Sequence, residues 1–426
     1  MSTLNNDKEY KPRIIDKTID EYLKSCGAIC IEGPKWCGKT WTSAHHANSE
    51  FLVGDPTNNF SNRELASINP SLVLTGSKPR MNDEWQEVPS LWDATRAFVD
   101  KNNDYGSLIL TGSSTPKKKG ILHSGAGRIV GIKMNTMSLY ESGDSSGIVS
   151  LSDLINGKFE EKIIEEVSLE KLAYFIVRGG WPKNIDSENP TINPKSYVET
   201  IINSNLTDEK GKRYSKERIE QILKSLARNE TTTASISTIA KDILDNDAKN
   251  ISADTVTRYI EALDRMFLFN NQPPFDPNIR SSLRVKGAYK RHFCDPALAC
   301  ALLNLNEKKL MNDLNTFGFL FEALVEHDLS IYAAGIGAKL YHYQNYNNEE
   351  IDAIMELDDG SYCAFEIKLA ANRIEEAASN LNKVCNNIVK HGGKAPIIKG
   401  VICGVLNAVY KRKDGVYVIP ITALKD

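Results

Sequence analysis

Gly33-Pro34-Lys35-Trp36-Cys37-Gly38-Lys39-Thr40 fits the spacing G-x-x-x-x-G-K-[ST]. The chemistry that asks for this spacing is phosphate binding. Glycines let backbone N–H groups curl around phosphate oxygens, and a following helix presents its positive end. The Lys39 ammonium would reach β- and γ-phosphates, and the Thr40 hydroxyl would ligate Mg²⁺. GAICIE at 27–32 reads as the strand before the loop, and TWTSAHHA as the helix after it. The expected ligand is a nucleoside triphosphate, ATP with Mg²⁺.

Hydrolysis needs more than a cradle. Asp83-Glu84 follows within KPRMNDEWQEVP, at the end of a strand interrupted by Arg80 and Asn82. Asp83 would hold the Mg²⁺ shell, and Glu84 would activate the attacking water. A solvated surface pair is the alternative. SLILTGSS at 107–114 offers Ser113, or Thr111, to the γ-phosphate or the water. HSGAGRI at 123–129 offers Arg128 after a Gly-rich turn. Arg128 would steady transition-state charge, in cis or from a neighbouring subunit, or else form an ordinary surface pair.

A second constellation lies in the last third. Glu322 is placed on a helix, Asp352 on one strand, and Glu366 with Lys368 on the next. Residues two apart on a strand share a face, so Glu366 and Lys368 point together. Carboxylates in such a set can hold hard divalent cations, here Glu322, Asp352 and Glu366, while Lys368 positions water or offsets phosphate charge. Mg²⁺ there would support phosphodiester hydrolysis.

These residues need elements to position them. The first 190 or so residues alternate strands and helices, which implies an α/β fold with a parallel sheet. SLVL at 71–74 and SLILTG at 107–112 read as strands, and SLWDATRAFVDKN as a helix. A polar, Asn- and Pro-rich stretch at 183–196 marks a boundary. Helices at 234–245 and 252–268 then suggest a helix-turn-helix with a wing to follow. Ser252 would cap the second helix, and Thr255, Thr257 and Arg258 would face DNA. RSSLRVKGAYKRH at 280–292 would add a phosphate-contacting basic strip, or a solvated one. Beyond it come a helix at 317–335, strands at KLYHYQ, EEIDAIMEL and SYCAFEIKLA, a helix near 373–391, and strands at PIIKGVICG and GVYVIPI.

Composition excludes several classes. The chain has 426 residues, 41% hydrophobic, with net charge −3, so it is neither strongly basic nor low in core material. Its eight cysteines contain no Cys-x-x-Cys pair, so reduced core residues in a cytoplasmic protein are expected. The polar N-terminus has no apolar signal core, and no run is long enough for a membrane span.

GPKWCGKT, DEWQ-x-VP-x-LWD, LTGSS, HSGAGRI, RGGWP at 178–182, TVTRYIEALDRMFL and HFCDPALA at 292–299 together resemble one family. It is the group of prokaryotic AAA-like P-loop ATPases with a C-terminal domain of unknown function, number 4143. The resemblance implies three modules: an AAA-like P-loop ATPase domain over 1–195, a winged-helix-like domain over 196–285, and a PD-(D/E)XK-nuclease-like domain over 286–426. Asp352, Glu366 and Lys368 match the signature of that nuclease core, and Glu322 its additional helix ligand. The expected function is an ATPase whose nucleotide cycle controls attached DNA-binding and nuclease-like modules. Two alternatives stand beside it: an ATP-regulated metal-dependent DNA nuclease, and a non-enzymatic ATP-binding interaction module. Expected partners are ATP, DNA and further copies of the chain, with no membrane.

Overall fold

The computed structural model describes residues 10–115, 121–207, 211–243, 251–347 and 349–426. The chain forms two compact units. Unit 1 comprises Met1–Thr136 with Ala262–Leu268, and unit 2 comprises Met137–Glu261 with Phe269–Asp426.

Unit 1 is a parallel sheet with helices. Its strands are β1 (Ala28–Glu32), β2 (Ser49–Leu52), β3 (Arg80–Asp83), β4 (Leu108–Gly112) and β5 (Ile129–Lys133), in the order β2-β3-β4-β1-β5. All pairings are parallel. The helices are α1 (Ile15–Ser25), α2 (Lys39–His45), α3 (Thr57–Ile68), α4 (Pro70–Val73) and α5 (Ser90–Asn102). The continuous apolar run of β1 follows from burial on both faces. Ala28 and Cys30 enter one core with Leu108, Leu110, Trp85 and Leu91. Ile29 and Ile31 enter the other, with Ile19, Ile109 and Met134. The order puts β1 beside β4, so the loop after β1 and the polar end of β4 lie at the same edge of the sheet.

One expectation fails here. SLVL at 71–74 is not a strand; α4 covers Pro70–Val73. Asn69 caps it by accepting the Leu72 N–H, and Pro70 sits at the first position, where its missing N–H costs nothing. The sheet takes β2 instead, whose sequence SEFL is too mixed to announce itself.

Unit 2 opens with β6 (Val149–Ser150), α6 (Leu151–Ile155), β7 (Lys162–Ile163), and helices α7 (Leu169–Arg178), α8 (Ile192–Ile202) and α9 (Lys216–Arg228). Ser168 and Ser215 cap α7 and α9 through their hydroxyls. α10 (Ile236–Asp242) and α11 (Ala253–Asp264) fall where two helices were expected, and the end of α11 from Ala262 belongs to unit 1. Most of the turn between them lies outside the described residues. Ser252 accepts the Thr255 N–H as expected. An antiparallel pairing follows, at Phe269 with Phe293 and Gln272 with Lys290, around the short α12 (Leu283–Lys286). α13 (Pro296–Leu302) packs against α7, α8 and α9, and α14 (Glu307–Asn312) packs against α7.

The rest of unit 2 is built on α15 (Leu314–Gly335), strands β8 (Lys339–Gln344), β9 (Glu350–Glu356) and β10 (Tyr362–Ala370), α16 (Ile374–Lys390), then β11 (Ile398–Val405), β12 (Ala408–Lys411), β13 (Tyr417–Pro420) and β14 (Leu424–Lys425). The sheet order is β7-β12-β13-β11-β10-β9-β8. β8, β9 and β10 form an antiparallel meander, and β11 joins β10 in parallel. The crossover between β10 and β11 is α16, whose Ala378, Leu381, Val384 and Cys385 pack on Ile354, Ala364 and Val401. β14 pairs with β6. Seven cysteines are buried, Cys26 is part-exposed, and all eight are free thiols.

Candidate functional site

In unit 1 the loop from Gly33 to Gly38 joins β1 to α2. Its glycines are required by space and by dihedral. A Cβ on Gly33 would lie 2.1 Å from the Met134 carbonyl oxygen. Gly38 has φ 111°, a left-handed conformation that disfavours side chains. Lys39 is buried, and its ammonium donates to the carbonyls of Gly33 at 3.0 Å and Pro34 at 2.8 Å. Trp36 stands out from the loop, 64% exposed. Arg13 braces the loop from beneath, donating to the Cys37 carbonyl at 2.9 Å and the Asn135 carbonyl at 2.9 Å.

The carboxylates at the end of β3 meet this loop. Asp83 Oδ1 accepts from Thr40 Oγ at 2.9 Å and from Thr111 Oγ at 2.6 Å. Burial raises the Asp83 carboxyl above its ordinary range, against the lowering effect of those two hydroxyls. The oxygen donors of Thr40 and Asp83 converge as a hard divalent cation requires. Glu84 has φ 56°, a strained value for a side chain with a Cβ, and its N–H donates to Thr111 Oγ at 3.0 Å. Its Oε2 accepts from Ser113 Oγ at 2.8 Å and from the Gln86 amide. Asn82, on β3, is fully buried, and its side-chain amide has no hydrogen-bond partner among the described residues.

In unit 2 the sheet gathers the second constellation. Lys368 Nζ lies 3.1 Å from Asp352 Oδ2 and 2.9 Å from Glu366 Oε2. Asp352 Oδ2 also accepts the Ile367 N–H at 2.7 Å, and Glu366 Oε1 accepts from Asn380 of α16 at 3.1 Å. Glu322 is tied into the set by a second lysine. Lys290 donates to Glu322, to Glu326 Oε1 at 2.7 Å, and to the Asp352 carbonyl oxygen at 3.4 Å. Burial pushes Glu322 up to about 7 and Glu366 up to about 8, although the adjacent ammonium groups oppose it. Burial lowers Lys290 and Lys368, but the surrounding carboxylates outweigh it and raise both. Among the described residues, no group of three or more His, Cys, Asp or Glu side chains is gathered to hold a metal. A divalent ion between Asp352 and Glu366 would have to displace Lys368.

A family model described as an AAA domain matches residues 26–143. The chain carries an AAA domain. Behind it, models for two domains of unknown function, DUF8612 and DUF4143, match residues 169–309 and 317–424. An uncharacterized protein of Mycobacterium bovis and one of Mycobacterium tuberculosis are each 22% identical over 352 residues, covering 81% of this chain and 71% of theirs. Among solved structures, a Walker-type ATPase of Pyrococcus abyssi is similar with TM-score 0.40 and 13% identity, covering 70% of this chain and 99% of its own. A RuvB variant of Thermotoga maritima has TM-score 0.26 and 16% identity, covering 61% and 89%. AMPPCP-bound DnaA of Aquifex aeolicus has TM-score 0.26 and 14% identity, covering 61% and 90%. At such scores the fold assignment rests on the sheet order itself. No described helix is long and apolar enough to cross a membrane.

Within the AAA domain, Thr40, Asp83, Glu84 and Ser113 come together around one edge of the sheet. Arg128 does not join them by contact: it donates to Asp100 Oδ1 at 2.8 Å and to the Ala126 carbonyl. Arg13 and Gln86 join this site without having been singled out from the sequence, and the Thr111 hydroxyl ties β4 to the Asp83 carboxylate and the Glu84 N–H. Thr111 was legible as an alternative to Ser113, because the two flank Gly112 at the end of an apolar strand. The residues expected to face DNA bond back to their own turn. Thr255 Oγ pairs with Ser252 Oγ at 2.9 Å, Thr257 donates to the Ala253 carbonyl at 3.0 Å, and Arg258 to the Asp254 carbonyl at 3.3 Å. The basic strip is largely occupied internally. Arg284 makes a bidentate pair with Glu356, Lys290 is buried, and Arg291 donates to the Ala234 carbonyl, which leaves Arg280 and Lys286 exposed.

Proposed function

We propose that this protein binds and hydrolyses ATP at the loop of Gly33 to Thr40, with Mg²⁺. The observation that carries this is the three-way meeting at Asp83 Oδ1, which joins the Thr40 hydroxyl of the loop to the Thr111 hydroxyl of β4. Thr40 and Asp83 would hold Mg²⁺, which when bound supplies positive charge against the phosphates. Lys39 exchanges its two carbonyl acceptors for phosphate oxygens. Glu84 is the general base; its Oε2 is engaged by Ser113 and Gln86, so it must be released to reach a water. Glu84→Gln should lower turnover about 100-fold or more while ATP affinity stays near wild type, a loss in the range of general-base removal. Equal turnover in that variant rejects the assignment. The winged-helix-like pair α10–α11 is assigned to DNA, on the strength of its capped second helix and the pairing that follows it. ATPase rate measured with and without duplex DNA tests the coupling, and an unchanged rate rejects it.

A second reading has its own observation. The meander β8-β9-β10 with parallel β11 brings Asp352, Glu366 and Lys368 within bonding distance, on the elements expected of a PD-(D/E)XK-nuclease-like core. On this reading plasmid incubated with Mn²⁺ or Mg²⁺ is nicked, and Asp352→Ala and Lys368→Ala each remove the activity. Absence of nicking, or nicking that survives both changes, leaves this domain as a structural module.

A further inference from the structure

Unit 2 holds a cavity of about 270 Å³ between the Phe269–Phe293 pairing, α15 and β8. Among the side chains lining it are Gln272, His292 and Glu326, each at least nine-tenths buried. One atom of each has no hydrogen-bond partner: Gln272 Oε1, His292 Nε2 and Glu326 Oε2. Buried polar atoms are ordinarily paired; Gln272 Oε1 is open, and His292 Nε2 and Glu326 Oε2 meet only each other, at 3.3 Å, which points to something that occupies the cavity. We propose that His292, Glu326 and Gln272 form a binding site for one divalent transition-metal ion.

The remaining atoms of these side chains are fixed, and in the manner a ligand needs. His292 Nδ1 is 3.2 Å from Glu230 Oε1; with the proton on Nδ1, facing that carboxyl, Nε2 keeps its lone pair for a ligand. A carboxylate behind the ligating imidazole is the usual support for a metal-bound histidine. Lys290 takes Oε1 of Glu326, which leaves Oε2. Gln272 donates its amide N–H to the Tyr341 carbonyl at 2.7 Å, which leaves its carbonyl oxygen. The His292 backbone N–H is anchored on Asn271 Oδ1 at 3.1 Å.

The spacing also suits a shared metal ion. His292 Nε2 and Glu326 Oε2 lie 3.3 Å apart without forming a hydrogen bond. Two ligand atoms at ~2.0–2.2 Å from one ion, at a near-tetrahedral angle, are separated by about 3.3–3.5 Å. The cavity leaves room for water at the ion's open positions. Imidazole with carboxylate and amide oxygen suits Zn²⁺, Co²⁺ or Mn²⁺ better than Mg²⁺. None of the three residues belongs to the Asp352–Glu366–Lys368 set, so this site and the nuclease reading stand or fall separately.

The test uses the full chain, stripped of metal by chelator and returned to excess Mg²⁺ so that hard-cation sites are filled. Co²⁺ is then added, followed by equilibrium dialysis and visible absorption. One equivalent should bind with the spectrum of a mixed nitrogen–oxygen set, and Zn²⁺ should displace it. His292→Gln and Glu326→Gln should each lower the affinity about tenfold or more. Glu230→Gln, which touches the imidazole and not the ion, should lower it about 10–100-fold. Crystals soaked in Co²⁺ need no variant, and should show the anomalous peak between Nε2 of His292 and Oε2 of Glu326. Absence of bound Co²⁺, a peak elsewhere, or equal affinity in both Gln variants overturns the proposal. So does thermal stabilisation by guanidinium without Co²⁺ binding, which would give the cavity to an organic cation.

Discussion

Lys39→Ala should lower ATP affinity by about 100-fold or more and leave no measurable turnover. In the structure the ammonium is buried and spends its donors on the Gly33 and Pro34 carbonyls. Those acceptors are neutral. Phosphate oxygens at the same loop are charged, so the exchange favours nucleotide. A hydrogen bond to a charged group is worth ~1.5–3 kcal/mol, and two of them about 3–6 kcal/mol. That converts to roughly 100-fold to 10⁴-fold in affinity. The fold should survive, because the alanine removes a donor from backbone carbonyls at a loop and leaves the two cores of unit 1 intact. Calorimetric titration with Mg²⁺–ATP checks this, with the melting curve as control. Affinity within threefold of wild type would exclude the loop as the nucleotide site.

Lys290→Met should destabilise unit 2 by about 3–5 kcal/mol, the usual cost of removing one partner from a buried ion pair. Its ammonium is the only donor to Glu322 and Glu326 Oε1 among the described contacts. Methionine fills the space and leaves both carboxyls uncompensated. The effect carries a pH signature. Glu322 and Glu366 are raised to about 7 and about 8, so the folded chain keeps protons that the unfolded chain has released. Their stabilising contribution is complete below the unfolded carboxylate value and is lost as pH rises through 7 and 8. Burial lowers His292 and His342, the latter to about 4, and these act in the opposite sense only below about pH 6.5. Urea unfolding should therefore show wild type more stable at pH 6.5 than at 8.5. The difference should widen in Lys290→Met. A variant as stable as wild type at pH 8.5 would show that the Lys290 pair contributes nothing.

The two lysines mark how far the sequence could be read. Lys39 sits in a fixed spacing, so its role was legible from eight residues. Lys290 sits in RSSLRVKGAYKRH, where charge density suggested a solvated or DNA-facing strip. It is buried because residue 290 pairs with Gln272 beside α15, and no local pattern carries that long-range pairing. The strands from β8 to β11 were legible because they alternate or run apolar between clear turns. β2 was not, since SEFL owes its place to hydrogen bonds from β3, and SLVL became a helix because Asn69 and Pro70 outvoted its apolar side chains. Asp352, Glu366 and Lys368 were placed together by the period of two. Glu326, His292, Glu230 and Gln272 come from four separate segments, and only the folded chain brings them into one cluster.

The pairing of β6 with β14 also governs how the chain must be made. Ser150 and Asp426 share a hydrogen bond across 276 residues, and Leu424 pairs with Val149. At a synthesis rate of about 5–20 residues per second, β6 waits roughly 14–55 s on the ribosome for its partner. During that interval Val149, Leu151 and Leu154, all buried in the finished protein, have no partner strand beside them. While the later residues are made, β6 lacks its partner strand, and an unpaired strand edge is a template for pairing with another chain.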